Sequence, residues 1–256
     1  MKGGAFMIRD HRTYFFFSIA IIGIIALVLL LLFVPDMSTT IINTVPEYPP
    51  EIADINPENE RIISSVTVSR ENVRNIISAL NRPEEYFEET QSVLSHKNGD
   101  AVFSRQKWVK GALSRVDIMS ASRESVSIHY IYNNTHVFIW KPHERTYYKT
   151  SRGSFSADDA QMMMSYEDII SANDEDIISA QLTMYDGVPC IYTEVKNSTT
   201  GYTERYWVSH STGLLIYGQT LDDKGDLIYT ITSTQTDISP QDSEIFRLPD
   251  GSFPEQ

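Results

Sequence analysis

Hydrophobic positions change their period several times along this chain, and each change marks a different kind of element. From Tyr14 to Val34, "YFFFSIAIIGIIALVLLLLFV", no position is charged. A helix of that length, rising about 1.5 Å per residue, crosses the roughly 30 Å hydrocarbon core of a bilayer. Pro35–Glu60 has no such pattern. Its five prolines and six acidic residues, with no Lys or Arg, predict a stiff, self-repelling spacer. "RIISSVTV" reads as a short apolar strand opening the folded part. Val73, Ile76, Ile77 and Leu80 then recur at helical spacing on one face. Ser69 is placed to cap that helix, Glu71 falls in its first turn, and "NRPEEY" ends it.

A period of two follows. Glu85–His96, Ala101–Val109 and Leu113–Ser120 read as strands. "SVSIHYIYNNTHVFIW" is the clearest hairpin, because Asn133-Asn134 tolerate the positive φ angles of a tight turn and Tyr132 then pairs with Thr135. "KPHER" turns the chain into "TYYKT". Between Ser156 and Leu182 the period becomes helical again, predicting two or three short helices with Ser165 and Asn173 as N-caps and acids in the following turns. Asp186-Gly187 returns the chain to strands: "VPCIYTEV", "YTERYWVS", "GLLIYGQTL" and "DLIYTITST", with turns at "STG" and "DDKGD".

This order predicts an α+β domain over residues 61–251, with short tails at 1–13 and 252–256. Many meandering strands accumulate twist and curl a sheet. The insert Ser156–Leu182 is expected to pack across the concavity, with Trp207 largely buried beneath it.

Charge refines the topology. Lys2, Arg9 and Arg12 stand against Asp10 alone before Tyr14, so the excess of 34 acidic over 21 basic residues falls on the rest of the chain. Basic residues before the apolar run and acidic ones after it predict a single-pass membrane anchor, cytoplasmic at its N-terminus and extracytoplasmic beyond residue 34. The run ends in "LLFVPDMSTT", a poor cleavage site, so the anchor is expected to be retained. The acidic domain repels phosphate backbones, which argues against nucleic acid as a partner. Cys190, the sole cysteine, excludes an intramolecular disulfide and reads as a small buried apolar residue.

No catalytic motif is present: G-x-S-x-G, H-E-x-x-H, the Walker loop and G-x-G-x-x-G are all absent. His129 and His136 share a face of the predicted hairpin but sit a pleat repeat apart, and His143 lies in the next turn. No other ligand joins them at a metal-binding spacing, so neither a metal nor any other cofactor is expected. Asp158-Asp159 and Asp174–Asp176 lack the spacing of a calcium loop. Asn133 and Asn197 begin glycosylation sequons. The unusual feature is aromatic and Met density. Trp108, Tyr130, Phe138, Trp140, Tyr148, Tyr192, Trp207 and Tyr229 on the strands, with Met162, Met163 and Met164 on the insert, are the candidates for an adaptable apolar cavity between sheet and helices. Taken singly, each is an ordinary core residue.

"YTERYWVSHSTGLLIYGQTLDDKGDLIYTIT" followed by "SEIFRLPDG" resembles the C-terminal part of the LolA-like group of envelope proteins. "VSRENVRNIISALNRPEEY", "SYEDII" and "GVPCIYTEV" are similar to its membrane-anchored or lipidated clostridial members, which include a spore-germination lipoprotein. The resemblance covers most of Ser64–Gly251 and rests on turns and strand aromatics. It implies an incomplete antiparallel β-barrel covered by helices, without catalytic residues. In lipoprotein carriers of that group the cavity receives acyl chains, whereas the germination relative binds a cell-wall amidase. The two functions expected are therefore an anchored, non-enzymatic binding protein holding a lipid or acyl group, or an anchored adaptor for another envelope or spore protein.

Overall fold

The structure is a computed structural model that describes residues 56–97, 99–120, 125–153, 164–198 and 200–254. The predicted anchor at 14–34 and most of the spacer lie outside the described residues. Among the described residues, no helix is long and apolar enough to cross a membrane.

The first element is helix α1, Pro57–Ser64, where the sequence pattern predicts a strand from Arg61. Its start signals lie upstream of the β-branched run. The Asn56 side chain accepts from the Glu58 amide at 3.0 Å, Pro57 begins the first turn, and Glu58 and Glu60 face the positive end of the helix dipole. Asn59 is fully buried and ties α1 to its neighbours. Its amide nitrogen donates to the carbonyls of Asn81 and Ser211, each at 2.9 Å, and its oxygen accepts from the Asn81 amide at 2.7 Å. Helix α2, Val73–Ala79, buries Val73, Ile76 and Ile77 as its spacing predicts, and Leu80 just beyond it. Its cap position is Asn72 rather than Ser69: residues 70–72 form a turn that leads into the helix, with the Asn72 side chain accepting from the Ser69 amide at 2.8 Å.

Eleven strands form one open antiparallel sheet. They are β1 Glu85–Leu94, β2 Ala101–Lys110, β3 Leu113–Met119, β4 Val126–Tyr132, β5 His136–Trp140, β6 Tyr148–Ser151, β7 Ile177–Tyr185, β8 Val188–Lys196, β9 Thr203–Ser209, β10 Leu215–Leu221 and β11 Leu227–Asp237. The spatial order is β6-β5-β4-β3-β2-β1-β11-β10-β9-β8-β7. Two meanders therefore meet at a central β1–β11 seam, and the chain passes from one outer edge, β6, to the other, β7. The link between those edges carries helix α3, Tyr166–Ser171, capped by a reciprocal pair in which Ser165 accepts from the helix and Asp168 accepts from the Ser165 amide at 2.6 Å.

Beyond α3, the described residues of the insert depart from the helical pattern. Asn173 starts no helix; its amide nitrogen donates to Asp176 Oδ2 at 2.8 Å in a turn. From Ile177 the chain pairs with β8, because the backbone donors and acceptors along Ile177–Leu182 find partners there, with one bulge between Ile177 and Ser179. Residues 154–163, including Met162 and Met163, lie outside the described residues. In the β4–β5 hairpin Tyr132 faces Val137 rather than Thr135, since the Asn133 side chain accepts from both the Thr135 and His136 amides and widens the turn.

The three described helices pack on one face of the sheet. Ile63, Val73, Ile76, Ile77 and Ile169 meet Ile177, Ile191, Tyr206, Val208 and Ile231 in the main core. On the same face of the other meander, Val116, Tyr130, Tyr132 and Val137 form a second cluster. Between the two, the buried positions of β1 are Tyr86, Glu88, Thr90 and Ser92, a mainly polar strip under the middle of the sheet. On the opposite face, the C-terminal 3-10 turn Ser243–Phe246 and Leu248 close over Ile131, Phe138 and Trp140, with Trp108 packed alongside.

Candidate functional site

The strand register divides the predicted cavity residues between the two faces. Tyr130, Tyr148 and Tyr229 lie on the helix-covered face, where Met164 also packs. Trp108, Phe138, Trp140, Tyr192 and Trp207 lie on the opposite face. Residues on opposite faces of one sheet cannot line one cavity. Trp207 is not beneath the insert: its neighbours Tyr206 and Val208 point into the main core, so alternation turns the indole away from the helices.

One groove on the helix-covered face fits a ligand. Val195, Glu204, Thr220, Tyr229 and Leu94 stand opposite one another in register across β8, β9, β10, β11 and β1. At about 4.8 Å per strand this row makes a floor roughly 19 Å long. Met164, with Asp168, Ser171 and Ala172 of α3 and its C-cap, forms one wall above it, and the groove, open to solvent, has a volume of about 500 Å³. That is the size of an ordinary small-molecule pocket. Tyr229 and Met164 are the two predicted candidates that it contains.

The groove is half apolar and half polar, and its polar lining includes three carboxyl groups, Asp168, Asp176 and Glu204. The Tyr206 hydroxyl donates to Glu204 Oε2 at 2.6 Å, fixing that carboxylate on the floor. Burial raises the Asp168 carboxyl above its ordinary range; the Ser165 amide opposes this, while Glu204 and Glu167 add to it. Tyr229 donates to Ser92 Oγ at 2.9 Å, and burial raises its hydroxyl. Met164 closes the inner end against Gly218, where an added Cβ would stand 3.0 Å from its sulfur. Beyond this plug lies a chamber of only about 70 Å³, among whose walls are Glu88, Arg105 and Lys107. The apolar groove and the charged chamber are therefore separate.

The opposite face carries an aromatic group that the sequence pattern shows only in part. Tyr185 stacks on Tyr217 with centroids 4.6 Å apart, and Trp207 touches Tyr217 at 5.1 Å and Tyr192 at 4.9 Å. Tyr185 is not among the predicted cavity candidates, although Asp186-Gly187 beside it marks the hairpin that brings it there.

Other chemistry is structural. Arg115 donates to Asp117 twice, at 2.9 and 2.8 Å, and to the Ile245 carbonyl at 2.7 Å, joining the sheet to the C-terminal turn. His129 Nδ1 lies 2.9 Å from Asp117 Oδ1 and its ring stacks on Trp140 at 5.0 Å. His136 shares that face but pairs with Ser151 at its far end, and His143 sits in a turn at φ 68. Among the described residues no three His, Cys, Asp or Glu side chains are arranged to hold a metal. Cys190 is buried, and burial pushes its thiol up to about 12, which keeps it protonated and unreactive.

No family model matches this chain, and no curated protein matches it. Among solved structures it is similar to an uncharacterized conserved protein from Thermus thermophilus, at 7% identity over 73% of this chain and 90% of that one, with a TM-score of 0.42. It is similar to the LolA superfamily protein NE2245 from Nitrosomonas europaea, at 13% identity over 70% and 97% of the two chains, with a TM-score of 0.35. The MucA/MucB complex structure of Pseudomonas aeruginosa matches at 13% identity and a TM-score of 0.40, over 69% of this chain and 57% of that one. All three likenesses are distant in sequence and in backbone.

Proposed function

We propose that this chain is a non-enzymatic binding protein, anchored in a cell membrane through residues 14–34, whose extracytoplasmic half-barrel domain holds one lipid or acyl chain in the groove under α3. The observation that carries this reading is the groove itself: a five-strand floor bearing Leu94, Tyr229 and Val195, overhung by Met164 and Ala172, with an open volume of about 500 Å³. Mass analysis of lipid extracted from the purified full-length protein tests it. Acyl species are expected with the wild type and are expected to be lost from Thr220→Trp, whose ring would fill the middle of the floor. Wild-type protein free of acyl species, or a Thr220→Trp variant that retains them, would overturn the reading.

A second reading, the anchored adaptor, is favoured by the aromatic group at Tyr185, Tyr192, Trp207 and Tyr217, which no described element covers. On that reading Trp207→Ala abolishes binding of an envelope protein partner, such as a cell-wall amidase, and leaves lipid content unchanged.

A further inference from the structure

The groove has a charge as well as a shape. Its acidic lining groups are Asp168, Asp176 and Glu204, and no Lys or Arg is among its walls. Arg105 and Lys107 line the small chamber behind Met164 instead, and Arg74, beside the α3 wall, is engaged by the Ile170 carbonyl and Asp174. Glu204 is second in the floor row, between Val195 and Thr220, and Asp168 lines the same groove from α3, where the charge of Glu204 acts on it. Tyr206 satisfies one Glu204 oxygen and the Ser165 amide one Asp168 oxygen. Leu94 and Tyr229 continue the floor on one side as an apolar strip. Two carboxylates meeting over an apolar track, with no cation among the walls, are unfavourable when empty and favourable around a positive group that carries a hydrocarbon tail.

We infer that the ligand of this groove is a cationic amphiphile, its amine held between Glu204 and Asp168 and its apolar chain laid along Tyr229 and Leu94. This rests on the groove being the ligand site, as proposed above. A fatty acid or another anionic amphiphile would place a like charge beside Glu204 and bind more weakly.

Calorimetric titration of the full-length protein with dodecylammonium, dodecanoate and 1-decanol, each below its aggregation limit, tests the inference. Dodecylammonium should bind about tenfold tighter than dodecanoate, the scale of one charge-assisted hydrogen bond. Glu204→Gln keeps an oxygen to accept from Tyr206 and should erase most of that preference. Asp168→Asn, which likewise keeps its acceptor for the Ser165 amide, should weaken it in the same direction and serves if Glu204→Gln does not fold. Glu84→Gln, at an exposed position before the opposite end of β1, controls for the overall negative charge and should leave the preference intact. Equal binding of all three amphiphiles, or a preference that Glu84→Gln reduces as much as Glu204→Gln, overturns the cationic assignment and leaves the groove reading standing. Failure of all three to bind overturns both.

Discussion

Two aromatic clusters occupy the same face of the same sheet and meet different fates. At one end, Trp108, Phe138 and Trp140 are closed over by Phe246 and Leu248 of the C-terminal segment, and Phe138 is 2% exposed. At the other end, among the described residues, Tyr185, Tyr192, Trp207 and Tyr217 pack on each other and on the strands beneath, and each stays partly exposed. Composition does not separate them, since both are Trp with aromatic neighbours on adjacent strands. What separates them is whether another part of the chain returns to that face. The C-terminal segment does so because Arg115 holds the Ile245 carbonyl and Lys110 donates to the Gln241 carbonyl at 2.6 Å. No described segment does so for Trp207. An aromatic run in sequence is therefore evidence of packing only when its cover can be named.

The largest expected effect tests the covered cluster. Phe246→Ala removes a fully buried ring and should cost about 3–5 kcal/mol, lowering Tm by roughly 10 °C. A loss below about 1 kcal/mol would show that the turn is not what closes this end. Trp207→Ala should cost less, about 1–2 kcal/mol, because the indole is half-buried and its contribution is mostly contact with Tyr192 and Tyr217. Should its thermal melt fall as far as that of Phe246→Ala, the two clusters are equally enclosed and the contrast fails.

The smallest effect is a pH dependence confined to the covered end. Burial raises the Asp117 carboxyl, but hydrogen bonds from His129 and Arg115 and the charge of Arg115 outweigh it and hold the group below its ordinary range. Its stabilising contribution is therefore complete above the unfolded carboxylate value near 3.9 and is lost as pH falls through the lower folded value. Near-ultraviolet circular dichroism on acidification should show a transition below about pH 4 that is absent in Asp117→Asn. An acid transition unchanged in that variant would assign it to other carboxylates.

Turn chemistry made most of the sheet legible. Asp186-Gly187 takes φ values of 47 and 78, the positive angles a tight hairpin needs, and Ser165 caps α3 as its spacing predicts. Face assignment was not legible. "YWV" at 206–208 is apolar on both sides of the strand, so only the register shows that Tyr206 and Val208 enter the core and Trp207 leaves it. β1 misleads in the opposite sense, because its buried positions include Glu88, Thr90 and Ser92 and its partly exposed ones include Phe87 and Val93. The groove was equally hidden. Its floor draws single residues from five strands, and no local window holds more than one of them. Helix α1 escapes a pattern reading because Asn56 and Pro57 act from inside a stretch whose composition reads as spacer.

The polar underside of β1 has a consequence for how the protein is made. The β1–β11 seam joins side chains such as Ser92 and Tyr229, 137 positions apart, so the strand that completes the centre of the sheet is the last one synthesised. Contacts of such long range raise the contact order and slow folding. Until β11 emerges, β1 waits as a bare edge of the first meander, the kind of edge that recruits other chains. With Glu88, Thr90 and Ser92 on the side that later becomes interior, the waiting edge offers little greasy surface to a nascent neighbour. A polar stripe under the middle of a finished sheet weakens its packing there, and it leaves less apolar surface on a chain whose second half has yet to fold.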